Sequence, residues 1–227
     1  MPKIAAIEIV EDRTAASRCD EGFLRLKRYR ARNRRDDGTR SPEYPLDVID
    51  RPTLDAVAVC IWARGPRGVE VLTRRGLRPA AYFRRGQRTV VPEAEYLLLE
   101  EIVAGVLEPG EVGVDALRRR AADEVREEAG MDVAPERLEV LGAPFFMLPG
   151  IASEKIHLLA GEVLRGGGPA SWAAPEIGDG SPLEEGAELR WRLLEEAIAA
   201  CERGEIEDAK SEIAFRRLAA RLAGRTR

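Results

Sequence analysis

The stretch Val114 to Ala129, VDALRRRAADEVREEA, is built almost wholly from Ala, Leu, Arg and Glu, and Gly130 stands where a left-handed C-terminal cap is expected. A helix of that length must lay one face on something, and the flanking sequence supplies strands. Asp55–Arg64 (DAVAVCIWAR) and Val69–Arg75 (VEVLTRR) are rich in β-branched residues and are separated by the turn signal GPRG, so they read as an antiparallel pair. LEVLGAPFFML and KIHLLAGEVL follow the helix as strands, and AELRWRLL precedes two C-terminal helices. Pro79–Glu95 and the Gly/Pro-rich stretch Gly166–Pro182 read as long loops. Mixed β structure with a few flanking helices implies an α/β or α+β sandwich.

Upstream, IEIV and FLRLKRYR followed by a turn at DDG form a small β unit, placed at residues 1–52, with the main domain at 53–227. The run Arg25–Arg40, RLKRYRARNRRDDGTR, is strongly basic in a chain of net charge −4. Two readings stay open for it: a solvated hairpin, or a surface that attracts an anionic ligand or another subunit. The overall charge argues against nucleic acid as a partner. No apolar run approaches the roughly 20 residues that span a bilayer, and MPKIAAIEIVEDR lacks a secretory apolar stretch, so no membrane association and a cytoplasmic location are expected. Three scattered cysteines, Cys19, Cys60 and Cys201, form no metal-ligand pair, and with a single histidine zinc is improbable.

The end of the helix, DEVREEAGM, places Glu124, Glu127 and Glu128 at spacings of three and four, on one face. Each like-charge pair there costs a few tenths of a kcal/mol, and the helix dipole disfavours acids in the last turn. On helix physics alone, a salt-bridged end served by Arg120 and Arg126 and a cage for a cation both remain open. Just upstream lies AGVLEPGE (Ala104–Glu111), which reads as a glycine-bearing loop leading to the helix. Oxygen-only donors suit a hard cation such as Mg²⁺.

Taken together these residues resemble the signature of the Nudix hydrolases, which runs Gly, five residues, Glu, seven residues, Arg-Glu-aliphatic-x-Glu-Glu-x-Gly-aliphatic. Gly105, VLEPG and Glu111 match the first half; Glu124, Val125, Glu127, Glu128, Gly130 and Met131 match the second. Two departures stand out. Eleven residues instead of seven separate Glu111 from Asp123, about one extra helical turn, and Asp123 occupies the position of the family's arginine, which braces the loop glutamate. Arg119, Arg120 and Arg126 are the candidates to replace it.

The resemblance extends along the chain to the ADP-ribose pyrophosphatase branch: EIVAG (Glu101–Gly105), LPGIASEKIHLLAGE (Leu148–Glu162), GEIEDAKSEIAFRRLA (Gly204–Ala219) and LRPAAY around Arg78. It implies a Nudix-type α/β/α sandwich with a mixed sheet, and an N-terminal β unit that helps build a homodimer. It further implies Mg²⁺-dependent (Mn²⁺ as a substitute) hydrolysis of a nucleoside-diphosphate sugar, ADP-ribose first, yielding AMP and ribose 5-phosphate. Carried over residue by residue, Glu124, Glu128, Glu127 and the Ala104 carbonyl are the expected metal ligands. Glu154 is the expected general base or water-positioning group, Glu127 a shared or accessory ligand counted with it among the catalytic residues, and Arg78 a substrate-phosphate contact. His157 and Trp191 read as structural. Two alternatives remain: a pyrophosphatase for another nucleotide sugar such as GDP-mannose, and a Nudix-fold nucleotide-binding or regulatory domain with little turnover.

Overall fold

Eight consecutive apolar residues, Ala56–Ala63, are all buried, which a strand achieves only when both faces of its sheet are covered. They form β4 (Ala56–Gly65) of a computed structural model that describes residues 4–12, 24–84, 86–91, 93, 96–165, 168–175 and 186–225. The described chain divides into two compact units, Met1–Leu54 with Phe146–Lys155, and Asp55–Phe145 with Ile156–Arg227.

In the first unit, β1 (Ile4–Asp12), β2 (Arg25–Arg35) and β3 (Tyr44–Asp50) make an antiparallel sheet in that order. The Asp36-Asp37-Gly38 turn follows β2, and Asp37 accepts the Thr39 N–H at 2.9 Å. Acids on β3 and just before it meet the basic strand: Lys27 pairs with Asp50, Arg28 with Asp47 at 3.3 Å, and Arg30 with Glu43 at 2.8 Å. Much of the local basicity is thus answered across the ladder, in exposed pairs worth about 0–1 kcal/mol each. The Ile49 N–H donates to the Ile151 carbonyl at 2.7 Å, which ties the segment carrying Glu154 to β3.

In the second unit, β4 turns at Pro66-Arg67 into antiparallel β5 (Gly68–Leu77), as the GPRG signal requires. It is flanked on its other edge by parallel β10 (Lys155–Glu162). Outward from β5 lie β12 (Glu188–Leu193) and β11 (Ser171–Ala173), and beyond β10 lies β8 (Leu138–Val140). Two short strands, β6 (Leu98–Glu101) and β7 (Val103–Val106), pair with β5 and β4; a two-residue strand, β9, sits at Phe145–Phe146. The sheet is therefore mixed.

Helix α2 (Val114–Ala129) lays Ala121, Val125 and Ala129 on Val57, Val59, Ile61 and Val103. The alternate residues of β4 face the other way, where α4 (Ala209–Arg225) contributes buried Ala214, Phe215 and Leu218 and packs on α3 (Leu194–Glu202). Helices on both sheet faces are the layered α/β architecture expected from the sequence.

Three expectations need correcting. Pro79–Tyr82 is a helical turn, α1, with Pro79 at its first position, where a missing N–H costs nothing. Ser171–Ala173 forms β11 because Trp172 packs against the core beside β12; residues 166–167 and 176–182 of that expected loop lie outside the described residues. Ala104 and Gly105 are not in a loop: β7 adds to the edge of β4, and the irregular segment starts at Leu107. No helix among the described residues is long and apolar enough to cross a membrane.

Candidate functional site

Strand pairing sets Ala104 opposite Ala58 and Gly105 opposite Val57, directly under α2. Because Ala121, Val125 and Ala129 take the apolar side of that helix, Glu124 and Glu128 come down against the strand. Glu128 accepts the Ala104 N–H at 3.2 Å. A Cβ built on Gly105 would lie 1.7 Å from Glu124 Oε1, so only glycine lets the Glu124 carboxylate occupy its place. Helix geometry and one glycine thus gather Glu124, Glu128 and the 104–105 backbone. Glu127 is on the outer side, 35% exposed, with Arg126 at 3.8 Å.

Glu128 is 7% exposed, and burial, reinforced by nearby Glu101, pushes its carboxyl up to about 7. Arg74, 3.8 Å away, the Ala104 N–H and Arg78 pull the other way without cancelling it. A buried carboxylate left undercompensated is a place for a cation. Among the described residues no group of three or more His, Cys, Asp or Glu side chains is placed to hold a metal ion. The donor chemistry nevertheless fits Mg²⁺, which takes one or two protein carboxylates and completes its shell with water and phosphate oxygens. Glu124, Glu128 and a strand carbonyl are such donors, and Gly105, having no side chain, leaves the place that the Glu124 carboxylate fills.

The missing family arginine is replaced one turn earlier. Arg120 donates twice to Glu111, Nε to Oε2 and Nη2 to Oε1, both at 3.2 Å. It also pairs with Glu108 at 2.9 Å and lies 3.8 Å from Glu124. Burial would raise the Glu111 carboxyl, but the Glu108 N–H at 2.7 Å and Arg120 hold it below the usual range. Asp123 pairs instead with exposed Arg126 at 2.9 Å, away from the loop. The longer spacing is absorbed as helix, since α2 already runs from Val114.

Arg78, at the end of β5, donates to Glu101, a buried acid at the end of β6 that also receives Lys210 from α4. Lys210 holds Asp208 as well, at 2.9 Å. Burial opposes the charge on Glu101, yet Lys210 and Arg78 keep its carboxyl low. Burial opposes the charge of Arg78, while Glu101, Glu128 and Asp208 favour it. Apart from Arg78, no member of this network has a role assigned by the sequence pattern. Its other members lie within EIVAG and GEIEDAKSEIAFRRLA, and Asp208 is an N-cap residue type directly before a helix.

Glu154 belongs to the first unit, where it is ion-paired with Arg51. His157 pairs with Asp55 at 2.9 Å in the second unit, and Trp191 is buried in the core, as their structural reading anticipates. Cys60 is fully buried, while Cys19 lies outside the described residues.

The sequence matches no family model. It is 32% identical over 196 residues to the ADP-ribose pyrophosphatase of Escherichia coli strain K12, spanning 86% of this chain and 80% of that protein. The ADP-ribose pyrophosphatase of Shigella flexneri matches to the same extent. Among solved structures, an ADP compounds hydrolase superposes with a TM-score of 0.56 at 16% identity, covering 99% of this chain and 95% of the other. At that identity the likeness concerns the fold.

Proposed function

The chain belongs to the Nudix hydrolases, and we propose that it hydrolyses the pyrophosphate bond of a nucleoside-diphosphate sugar, ADP-ribose foremost, to AMP and ribose 5-phosphate. The observation that carries this reading is the convergence of Glu124 and Glu128 on the Ala104–Gly105 backbone, three residues after the Glu101 that Arg78 binds. The choice of ADP-ribose is supported by the curated relatives, which bear that name across most of the chain.

In this mechanism Glu124, Glu128 and the Ala104 carbonyl would hold Mg²⁺ or Mn²⁺, with Glu127 as accessory ligand. The ion would neutralise the pyrophosphate and lower the pKa of the attacking water. Arg78 donates to a substrate phosphate, with Glu101 beneath it. A general base accepts the proton of the attacking water, a role that the family resemblance assigns to Glu154; the water oxygen bonds to phosphorus as the bridging P–O bond breaks and the second phosphate ester departs. Arg51, its ion-pair partner, orients that carboxylate. The N-terminal sheet carries the contact of a homodimer, which sedimentation would report as twice the 25.1 kDa chain mass.

A panel of nucleotide sugars with Mg²⁺ or Mn²⁺, followed by nucleoside monophosphate release, tests the reading. ADP-ribose is expected to give the highest kcat/KM, and Glu128→Gln to lower it by a factor on the order of 100 or more. Preference for GDP-mannose would reassign the substrate. Binding without turnover of any member would make the chain a nucleotide-binding domain and overturn the mechanism.

A further inference from the structure

Glu101 is 2% exposed and serves two cations of different standing. Lys210 is nearly buried and held a second time by Asp208, whereas Arg78 is 39% exposed and reaches towards solvent. We propose that Lys210 is a positioning residue that neutralises Glu101, so that Arg78 keeps its positive charge available for the phosphates of the substrate. The proposal rests on the assignment of Arg78 to substrate phosphate made above.

The charges support it. Arg78, Lys210, Glu101 and Asp208 sum to zero; without Lys210 the sum is −1, and of its two cationic partners among the described residues Glu101 keeps Arg78. A buried carboxylate left with one partner draws that partner in, because desolvation makes an unpaired charge costly. Arg78 would then be spent on Glu101 and would meet the pyrophosphate as a neutral pair.

The first turn of α4 makes the arrangement rigid. Asp208 accepts the Ser211 N–H at 3.0 Å as an N-cap, and the fully buried Ser211 hydroxyl oxygen accepts the Ile102 N–H at 2.8 Å. Consecutive residues are therefore gripped from the same helical turn, Glu101 by its side chain and Ile102 by its backbone. Two residues further on is Ala104, which donates to Glu128. Lys210 would thus act on Arg78 through Glu101, which both of them bind.

The test uses the full chain with Lys210→Met, Glu101→Gln and the double variant. Hydrolysis of ADP-ribose is followed with Mg²⁺, metal-free ADP-ribose binding by calorimetry, and Mn²⁺ binding by electron paramagnetic resonance. Lys210→Met is expected to raise KM and the calorimetric Kd about tenfold, with kcat within about twofold of the parent and Mn²⁺ affinity undiminished. Adding Glu101→Gln restores the zero sum and should return both constants to within about threefold of the parent. A packing role would instead lower the melting temperature and the active fraction and leave KM alone. If Lys210→Met does not fold, Lys210→Gln takes its place.

An unchanged KM and Kd in the single variant, or a double variant as weak as the single, overturns the proposal. Loss of turnover on all nucleotide sugars in the parent, with the calorimetric pattern intact, would overturn the assigned reaction but uphold the role of Lys210. A parent that does not bind ADP-ribose overturns both.

Discussion

Arg120 is the side chain on which the carboxylate loop depends. It spans Glu108, Glu111 and Glu124 from within α2 while only 14% exposed, so its pairs are shielded in a way that the Asp123–Arg126 pair is not. Replacing Arg120 by Ala should lower kcat/KM by about 10- to 100-fold, as removal of a buried group that orients ligands does. Arg126→Ala should change stability by no more than about 0.5 kcal/mol and activity less than twofold. Equal losses in the two variants, read in steady-state kinetics, would show that Arg120 is not the brace. Glu128 gives the second expectation at this scale. Its folded pKa of about 7 lies above the ordinary 4.5, so the protonated form favours the fold. That contribution is complete below about pH 4.5 and is lost as pH rises to about 7, an amount on the order of 3 kcal/mol. Urea midpoints of the metal-free protein should therefore fall between pH 5 and 8 more steeply than those of Glu128→Gln. Parallel slopes would refute it. Metal affinity should rise over the same window, because the ligand must be deprotonated.

Element α4 does more than cover the sheet. Its N-terminal turn supplies a hydroxyl to the Ile102 N–H, which sits between β6 and β7 and is deeply buried. Ser211→Ala leaves that donor without its acceptor, at a cost of about 1–3 kcal/mol in a thermal or denaturant melt. Ser211→Thr, which keeps the oxygen, should recover part of it, and equal stability of the Ala and parent proteins would show that the bond contributes nothing. At the other end of the site, α2 stops cleanly because Gly130 adopts φ +65°, and its N–H caps the Arg126 carbonyl at 3.0 Å. Helix α2 owes its orientation to a conflict between its two faces: the apolar side needs β4, and the acidic side is carried along onto β7. Like charges at Glu124, Glu127 and Glu128 are thus tolerated because the other face of the same helix has no better place to go.

Considered as a whole, the molecule holds buried acid in its folded state that a divalent cation would relieve. Saturating Mg²⁺ or Mn²⁺ at about 100 times Kd stabilises the fold by about 2.7 kcal/mol. In a chain of 227 residues that corresponds to a rise of roughly 5–10 °C in Tm. Glu124→Gln with Glu128→Gln should abolish the rise, and its persistence in that double variant would place the ion elsewhere. The layered α/β fold, the β4–β5 hairpin, α2 with its glycine cap and the residues that gather at β7 were all legible in the amino-acid order, because each is written in local patterns: apolar runs, turn residues, helix spacing. Family membership was legible for the same reason, since the glutamates and Gly105 lie within one continuous stretch. What joins distant parts was not. That Arg120 and not Arg119 or Arg126 holds Glu111 depends on the rotation of α2, which the packing of Ala121, Val125 and Ala129 on β4 decides. That Ala104 and Gly105 form a strand depends on the free edge of β4, some 45 residues earlier in the chain. The meeting of Glu101 with Lys210 spans 109 residues, and no periodicity encodes it. Local sequence placed the glutamates of α2 within reach of one another and of Gly105; the long-range packing of strand on strand and helix on sheet decided which charges compensate which, because electrostatic pairing acts through space and not along the chain.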